Sequence, residues 1–387
     1  MPPPIARPVE LTTFEAALAH NLAVVHQRAP AASVWAVAKA RGYGHGVAAA
    51  TRGFTRAEGL AVLEIQEAVE ARELGWQKPI LLLEGAFGPA DLEACAALNL
   101  DLVVHHQDQM EWLLSRLDEF GRSRGRVWIK LNTGMNRLGF APDAHPSLAS
   151  GLRQLRRERG PERLGWLTHL ARAESPPATE RPLARLQEAL HTLEAQAGEA
   201  VSICNSAGVF TLPHAHRDWV RPGLALYGAS PLEDPMAEGQ TAEALGLQPA
   251  GALRSRVIAL QTLGPGDTVG YGERYRAERP MRIGVVAGGY ADGLPRSAPD
   301  GTPVWVAGRT CDLVGRVSMD MVTVDLTDHP GAGIGSEVEF WGPRLSIDRV
   351  AAACGTIAYE LMTGVTERVA RRVVSAPSVQ EGVERDG

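Results

Sequence analysis

Short apolar runs, rich in β-branched residues or leucine, recur through roughly the first 225 residues and are separated by longer amphipathic segments. They cover residues 34–39, 59–63, 79–83, 100–104, 126–131, 164–169, 200–204 and 218–221, and their length and composition read as strands. The segments between them, among them 66–74, 89–97, 107–117, 146–157 and 180–197, space their apolar residues by threes and fours, as one-sided helices do. Eight strand-helix alternations predict a (β/α)8 TIM barrel.

Past about residue 240 the rhythm shortens into alternating strands at 254–260, 282–286, 302–306, 322–324 and 337–340, broken by turn residues such as Gly264, Pro265, Gly266 and Asp267. The expected architecture is α/β: a barrel over residues 1–240, then a mainly β domain over 241–387. Residues 232–248, rich in Glu, Ala and Gly with little periodicity, read as the linker. Polar residues punctuate the carboxyl ends of the barrel strands: Lys39, Lys130 with Asn132, His169, Asn205 with Ser206, and Arg221. That end of a TIM barrel is where its chemistry is built.

Charge narrows the function classes. Lysine plus arginine number 39 against 45 acidic residues, a net −6, so no global attraction to nucleic acid or anionic lipid is expected. The one dense basic stretch, 153–159, alternates with apolar residues and reads as a solvated helix face. Residues 1–10 lack an apolar leader core, and no run approaches the roughly 18 apolar residues of a membrane span, so a cytoplasmic protein is expected. Cys95, Cys204, Cys311 and Cys354 lie far apart without metal-type spacing, which predicts free thiols and no metal.

Lys39 ends the first strand and opens Ala40-Arg41-Gly42-Tyr43-Gly44-His45-Gly46. A lysine at a barrel mouth loses hydration, which lowers its pKa and frees its amine to attack a carbonyl. Taken alone it reads more simply as a strand-end lysine reaching out to water. The three glycines shift the balance, because they let backbone approach a ligand between the polar tips of Tyr43 and His45.

Residues 37–46 resemble the cofactor-lysine signature of bacterial alanine racemases, and the resemblance runs from about Pro8 to Arg372 with the motifs in family order. It implies that Lys39 carries pyridoxal 5'-phosphate and that Lys39 and Tyr271, in 270–272, are opposed bases interconverting D- and L-alanine. Residues 130–140 resemble the segment whose arginine, here Arg137, binds the substrate carboxylate. In related racemases the lysine matching Lys130 can be carbamylated and hold that arginine. His169, after Thr168, matches a histidine that hydrogen-bonds the catalytic tyrosine. Asn205 and Ser206 match a phosphate loop, although a serine there also reads as a helix cap. Arg221 matches the arginine facing the pyridine nitrogen; it can only donate, which implies an unprotonated ring. Tyr43, the backbone amides of Gly223 and Leu224, and Tyr359 complete the implied cofactor contacts. Residues 315–320 match the loop whose Met319 amide meets the substrate carboxylate, with Asp320 in support, and 289–293 with Arg296 match an entrance segment. The resemblance also implies a homodimer with shared sites, serving D-alanine supply for peptidoglycan or alanine catabolism.

Five positions depart from the family pattern: Arg41 and Gly42 replace the usual Asn-Ala, Asn132 a common Asp, Ser202 a histidine of some relatives, and Ser318 a frequent Cys. Two rivals stand beside this reading. A barrel-plus-β decarboxylase would suit Thr310-Cys311-Asp312, but Arg221 stands where such enzymes favour an acidic residue. A non-catalytic cofactor carrier would need neither Tyr271 nor the second domain.

Overall fold

A computed structural model of the chain describes residues 7–120, 123–141 and 146–375. After β1 (Glu10–Phe14), eight parallel strands close a barrel in chain order. They are β2 (Ser33–Val37), β3 (Gly59–Val62), β4 (Ile80–Leu82), β5 (Leu100–Val104), β6 (Val127–Lys130), β7 (Leu164–Leu167), β8 (Ala200–Ser202) and β9 (Trp219–Val220), and β9 returns to pair with β2. All eight expected strands are present, but most stop one or two residues short of their expected ends. Lys39, His169 and Arg221 thus lie just beyond the ladder, in the loops of the barrel mouth. The expected helices correspond to Ile65–Glu73, Asp91–Ala97, Gln107–Ser115, Pro146–Arg159 and Pro176–Thr192. No helix among the described residues is long and apolar enough to cross a membrane.

The second region is built on β10 (Gly251–Leu263), with β11 (Thr268–Val269), β12 (Tyr275–Arg276), β13 (Met281–Ala287), β14 (Pro303–Val306), β15 (Arg309–Asp312), β16 (Met321–Asp325), β17 (Glu337–Trp341) and β18 (Ala370–Val374). β10 pairs with β1, β13 and β17, so this one long strand ties the sheet together. One expectation is corrected here. Residues 10–14, placed in the 1–240 barrel segment, belong to this sheet: β1 runs antiparallel to β10 and parallel to β18. Four of its five residues are buried, so it lacks the polar-apolar alternation that marks a strand with one wet face. The expected linker is packed down as well, with Ala242, Leu245 and Leu247 buried against Val24 and Ala225.

Tryptophans fill the barrel. The ring of Trp35 on β2 stacks on Trp219 of β9 at 4.3 Å and meets Trp128 of β6 edge-on at 6.2 Å. Strands β2 and β6 stand four apart around the barrel, so their rings meet across its interior. Glycine on the adjacent strand makes room: Gly59 lies beside Trp35 and Gly165 beside Trp128. A Cβ at these positions would come within 2.1 Å and 2.5 Å of the indoles. Gly59→Ala should therefore overpack the barrel and lower stability by about 1–3 kcal/mol, read as a lower urea midpoint of the cofactor-free chain. An unchanged midpoint would contradict this packing.

Candidate active site

Immediately after β2 the chain enters a left-handed turn. Ala40, Arg41 and Gly42 have φ of 53°, 52° and 63°, followed by Tyr43 at 49° and Gly44 at 78°. Each non-glycine residue there costs roughly 1–2 kcal/mol, because its Cβ crowds the following carbonyl. The turn persists because its surroundings hold it. Gly42 and Gly44 donate to the carbonyls of Ala38 and Ala40 at 2.8 and 2.9 Å. The buried Tyr43 ring stacks on Tyr227 at 4.6 Å, and the Tyr227 hydroxyl donates to the Val37 carbonyl at 3.0 Å. His45 Nδ1 meets the Tyr43 carbonyl at 2.9 Å, and Arg371 binds the Gly44 carbonyl. The glycines therefore serve the turn and its packing: a Cβ at Gly44 would lie 2.3 Å from the Met362 carbonyl.

The turn sets Lys39 among other cations. Burial lowers its amine below the ordinary lysine range and Arg137 lowers it further, while Glu84 and Glu67 pull the other way. Lys130 is pushed down to about 8, by burial first and then by Arg221 and Arg137. His169 falls to about 3, again through burial and then Arg221, Arg137, Lys130 and Lys39. Arg221 is buried and lacks an ion-pair partner among the described residues. It donates to Ser202 Oγ at 2.5 Å and to the carbonyls of Thr168 and Ile203 at 2.5 and 3.2 Å. Ser202, one of the departures, is thus an acceptor that helps hold Arg221. Beside this cluster a cavity of about 280 Å³ opens between Glu84, His105, His106, Gln109 and Arg137.

Across the mouth, Asn205 caps the helix Ser206–Thr211, its side chain accepting from the Gly208 amide at 3.1 Å. Ser206 is not the cap. Its oxygen accepts from the amides of Gly223 and Ala225 at 2.8 and 3.3 Å, which occupies both lone pairs and leaves the hydroxyl proton as a donor. The Gly223 amide, expected to face a ligand, is therefore spent on Ser206, and the cradle passes to Ser206 itself. Tyr43 closes on the same loop: a Cβ at Gly223 would lie 2.2 Å from its hydroxyl. The Tyr359 ring lies 5.7 Å from that of Tyr43.

Tyr271, Met319 and Asp320 sit apart from this cluster, on loops of the β region. Tyr271 is 72% exposed and Met319 52%. Among the described residues no hydrogen bond joins Tyr271 to His169 or Lys39, so the expected tyrosine contacts are not made within one chain. The Met319 loop is nevertheless firmly held. Arg7 grips the buried Asp292 carboxylate at 2.5 and 2.8 Å and the Asp320 carbonyl at 2.5 Å, while Arg368 bridges Asp292 and Asp320 at 3.0 and 2.6 Å. Arg7, Arg368 and Tyr227 were given no role by the sequence reading, and Asp292 only a place in the entrance segment. Cys311 lies in β15, paired with Val304 in the sheet, so the decarboxylase-like Thr310-Cys311-Asp312 belongs to an edge strand.

Residues 15–231 match the family described as alanine racemase, N-terminal domain, and residues 250–373 match alanine racemase, C-terminal domain. The chain belongs to the alanine racemase family. An alanine racemase of Ralstonia nicotianae is 47% identical over 382 residues, covering 97% of this chain and 98% of the relative. The biosynthetic alanine racemase of Pseudomonas aeruginosa superposes with a TM-score of 0.86 at 43% identity, covering 95% of this chain and 99% of that one. The alanine racemase of Bartonella henselae, whose structure has covalently bound pyridoxal phosphate, superposes with a TM-score of 0.81 at 26% identity, over 95% of this chain and 99% of that one.

The electrostatics of this racemase-family mouth give a test in the cofactor-free chain. His169 takes up its proton near 6.5 when unfolded but near 3 when folded. Between those values the unfolded form holds more protons, so stability falls as pH falls. His169→Gln should lose stability less steeply over that window, measured by urea unfolding at successive pH values. Identical slopes for the two chains would contradict a histidine held neutral among cations.

Proposed function

We propose that the chain interconverts L- and D-alanine with pyridoxal phosphate held through Lys39. The observation that carries this reading is Lys39 itself, an amine kept below its ordinary pKa at the mouth of a closed barrel that also carries a serine with only its proton left to offer. Lowering the amine's pKa raises the share of its neutral, nucleophilic form. The surrounding residues fit the cofactor. Ser206 and Tyr43, with the Leu224 amide and Tyr359, would hold its phosphate, with Asn205 fixing the helix that carries Ser206. The buried, donor-only Arg221 favours an unprotonated ring nitrogen beside it. When bound, pyridoxal phosphate supplies an aldehyde for the amine and a conjugated system that accommodates the electron pair left as a Cα proton departs.

The chain's own groups then divide the work. Lys39 Nζ carries the Cα proton on the D face and the Tyr271 oxygen carries it on the L face, so neither base crosses the substrate plane. Arg137 and the Met319 amide hold the alanine carboxylate, with Asp320 fixing the Met319 loop through Arg368. His169, neutral at working pH, acts as a hydrogen-bond partner for Tyr271 rather than as a charge. Lys130, near 8, keeps enough neutral amine to form an N–C bond to carbon dioxide and release a proton. The resulting carbamate would set one negative charge among Arg137, Lys39 and Arg221.

Exposure of Tyr271 and Met319 supports a homodimer in which each site joins Lys39 of one protomer to Tyr271 of the other. We take the barrel unit to end near residue 240, with β1 assigned to the β unit. Mixing Lys39→Ala and Tyr271→Phe chains under exchanging conditions tests both bases and their sharing. Each variant alone should be nearly inactive, and Lys39→Ala should lack the visible absorbance of lysine-bound cofactor. A 1:1 mixture should regain up to about a quarter of wild-type racemisation, since each mixed dimer keeps one intact site of two. No recovery, with mixed dimers shown to form, would place both bases in one chain. A fully active Lys39→Ala would end the reading.

A further inference from the structure

Glu67 lies in the helix Ile65–Glu73 and is 5% exposed, yet no basic side chain pairs with it among the described residues. Its partners are all backbone amides. Oε2 accepts from Leu63 and Glu64 at 3.0 and 3.2 Å, closing the loop after β3 onto its helix. Oε1 reaches out of that loop and accepts from the Arg41 amide at 2.8 Å. Arg41 sits in the middle of the left-handed turn with φ of 52°, ψ of 51° and an exposed side chain, so no packing of that side chain holds it there. An arginine resists this conformation, whereas its neighbour Gly42 does not. Two residues upstream stands Lys39.

We infer that Glu67 is a positioning residue for Lys39: its carboxylate holds Arg41 in the left-handed conformation and thereby fixes how the lysine enters the barrel mouth. A buried carboxylate bonded to three amides is rigid, and it links the β3 loop to the β2 loop at the point where the backbone is least willing to stay. The same negative charge opposes the effect of Arg137 on the Lys39 amine. Glu67 thus tunes Lys39 both by direction and by field.

The inference rests on Lys39 being the cofactor lysine, and its test separates the two. In Glu67→Gln an amide nitrogen replaces one carboxylate oxygen and meets backbone donors, so one anchor is lost. Hydrogen exchange of residues 39–46 in the cofactor-free full chain should accelerate about tenfold, the weight of one unfavourable left-handed residue. In the loaded enzyme the cofactor should dissociate faster and kcat should fall with little change in KM. Adding Arg41→Gly removes the resistance of the turn, so the double variant should recover slow exchange and most of the cofactor retention. Glu67→Asp, one methylene shorter but still charged, should behave like Glu67→Gln and be rescued the same way, which covers failure of either variant to fold. Unchanged exchange in both variants would overturn the inference. So would a loss that Arg41→Gly leaves uncorrected, since Glu67 would then act only as the cap of its own helix. If exchange follows the expected pattern while borohydride reduction leaves no cofactor on Lys39, the anchor stands and the cofactor reading fails.

Discussion

An amine half removed from water and set beside a guanidinium gives up its proton more readily than a free lysine, and Lys39 depends on keeping that environment. Two features maintain it. The left-handed turn that follows Lys39 is unfavourable for Ala40, Arg41 and Tyr43, and contacts from Tyr227, Arg371 and Glu67 add to its own backbone hydrogen bonds. Beneath it, tryptophans packed against glycines make the barrel a solid support. Strain of this kind persists where the surroundings over-determine it, and it marks sites where geometry must not drift.

The second consequence is electrostatic. Burial and then Arg137 lower the readiness of Lys39 to hold a proton, and burial with Arg221 and Arg137 does the same to Lys130 and His169, with Glu84 and Glu67 the acids that act against this on Lys39. Such a mouth favours an anionic occupant, and a phosphate ester together with a substrate carboxylate supplies two negative groups. The donor-only Ser206 would give such a phosphate a directed hydrogen bond, while Arg221 would offer a cofactor ring a donor that stays protonated under ordinary conditions.

Much of this was legible from sequence. The barrel strands announced themselves because strands buried on both faces read as continuous apolar runs, and the polar residues at their ends marked the mouth. β1 and β18 were not legible, since their pairing joins residues near the two ends of the chain and leaves no local signal. The left-handed turn was half visible. Gly42 and Gly44 suggested unusual backbone, but nothing local says that Arg41 shares it. Glu67 stands three residues after Glu64, and its carboxylate accepts from the Glu64 amide that opens its own helix. Its reach to Arg41 depends on how β2 and β3 lie side by side, which no spacing in the sequence encodes. Likewise Arg7 and Asp292 are 285 residues apart, and only the folded sheet brings them together.

Two fixed bases divided by face are central to the proposed reaction, and isotope exchange in a variant lacking one of them tests them most directly. Tyr271→Phe keeps the ring and removes only the oxygen that carries the proton. Incubated with each enantiomer of alanine in deuterated water, it should still introduce deuterium at Cα of D-alanine through Lys39, while exchange of L-alanine and net racemisation collapse together. Mass spectrometry of chirally separated alanine reads the outcome. Equal residual exchange of both enantiomers, or selective survival of L-alanine exchange, would contradict the assignment of Lys39 and Tyr271 to opposite faces.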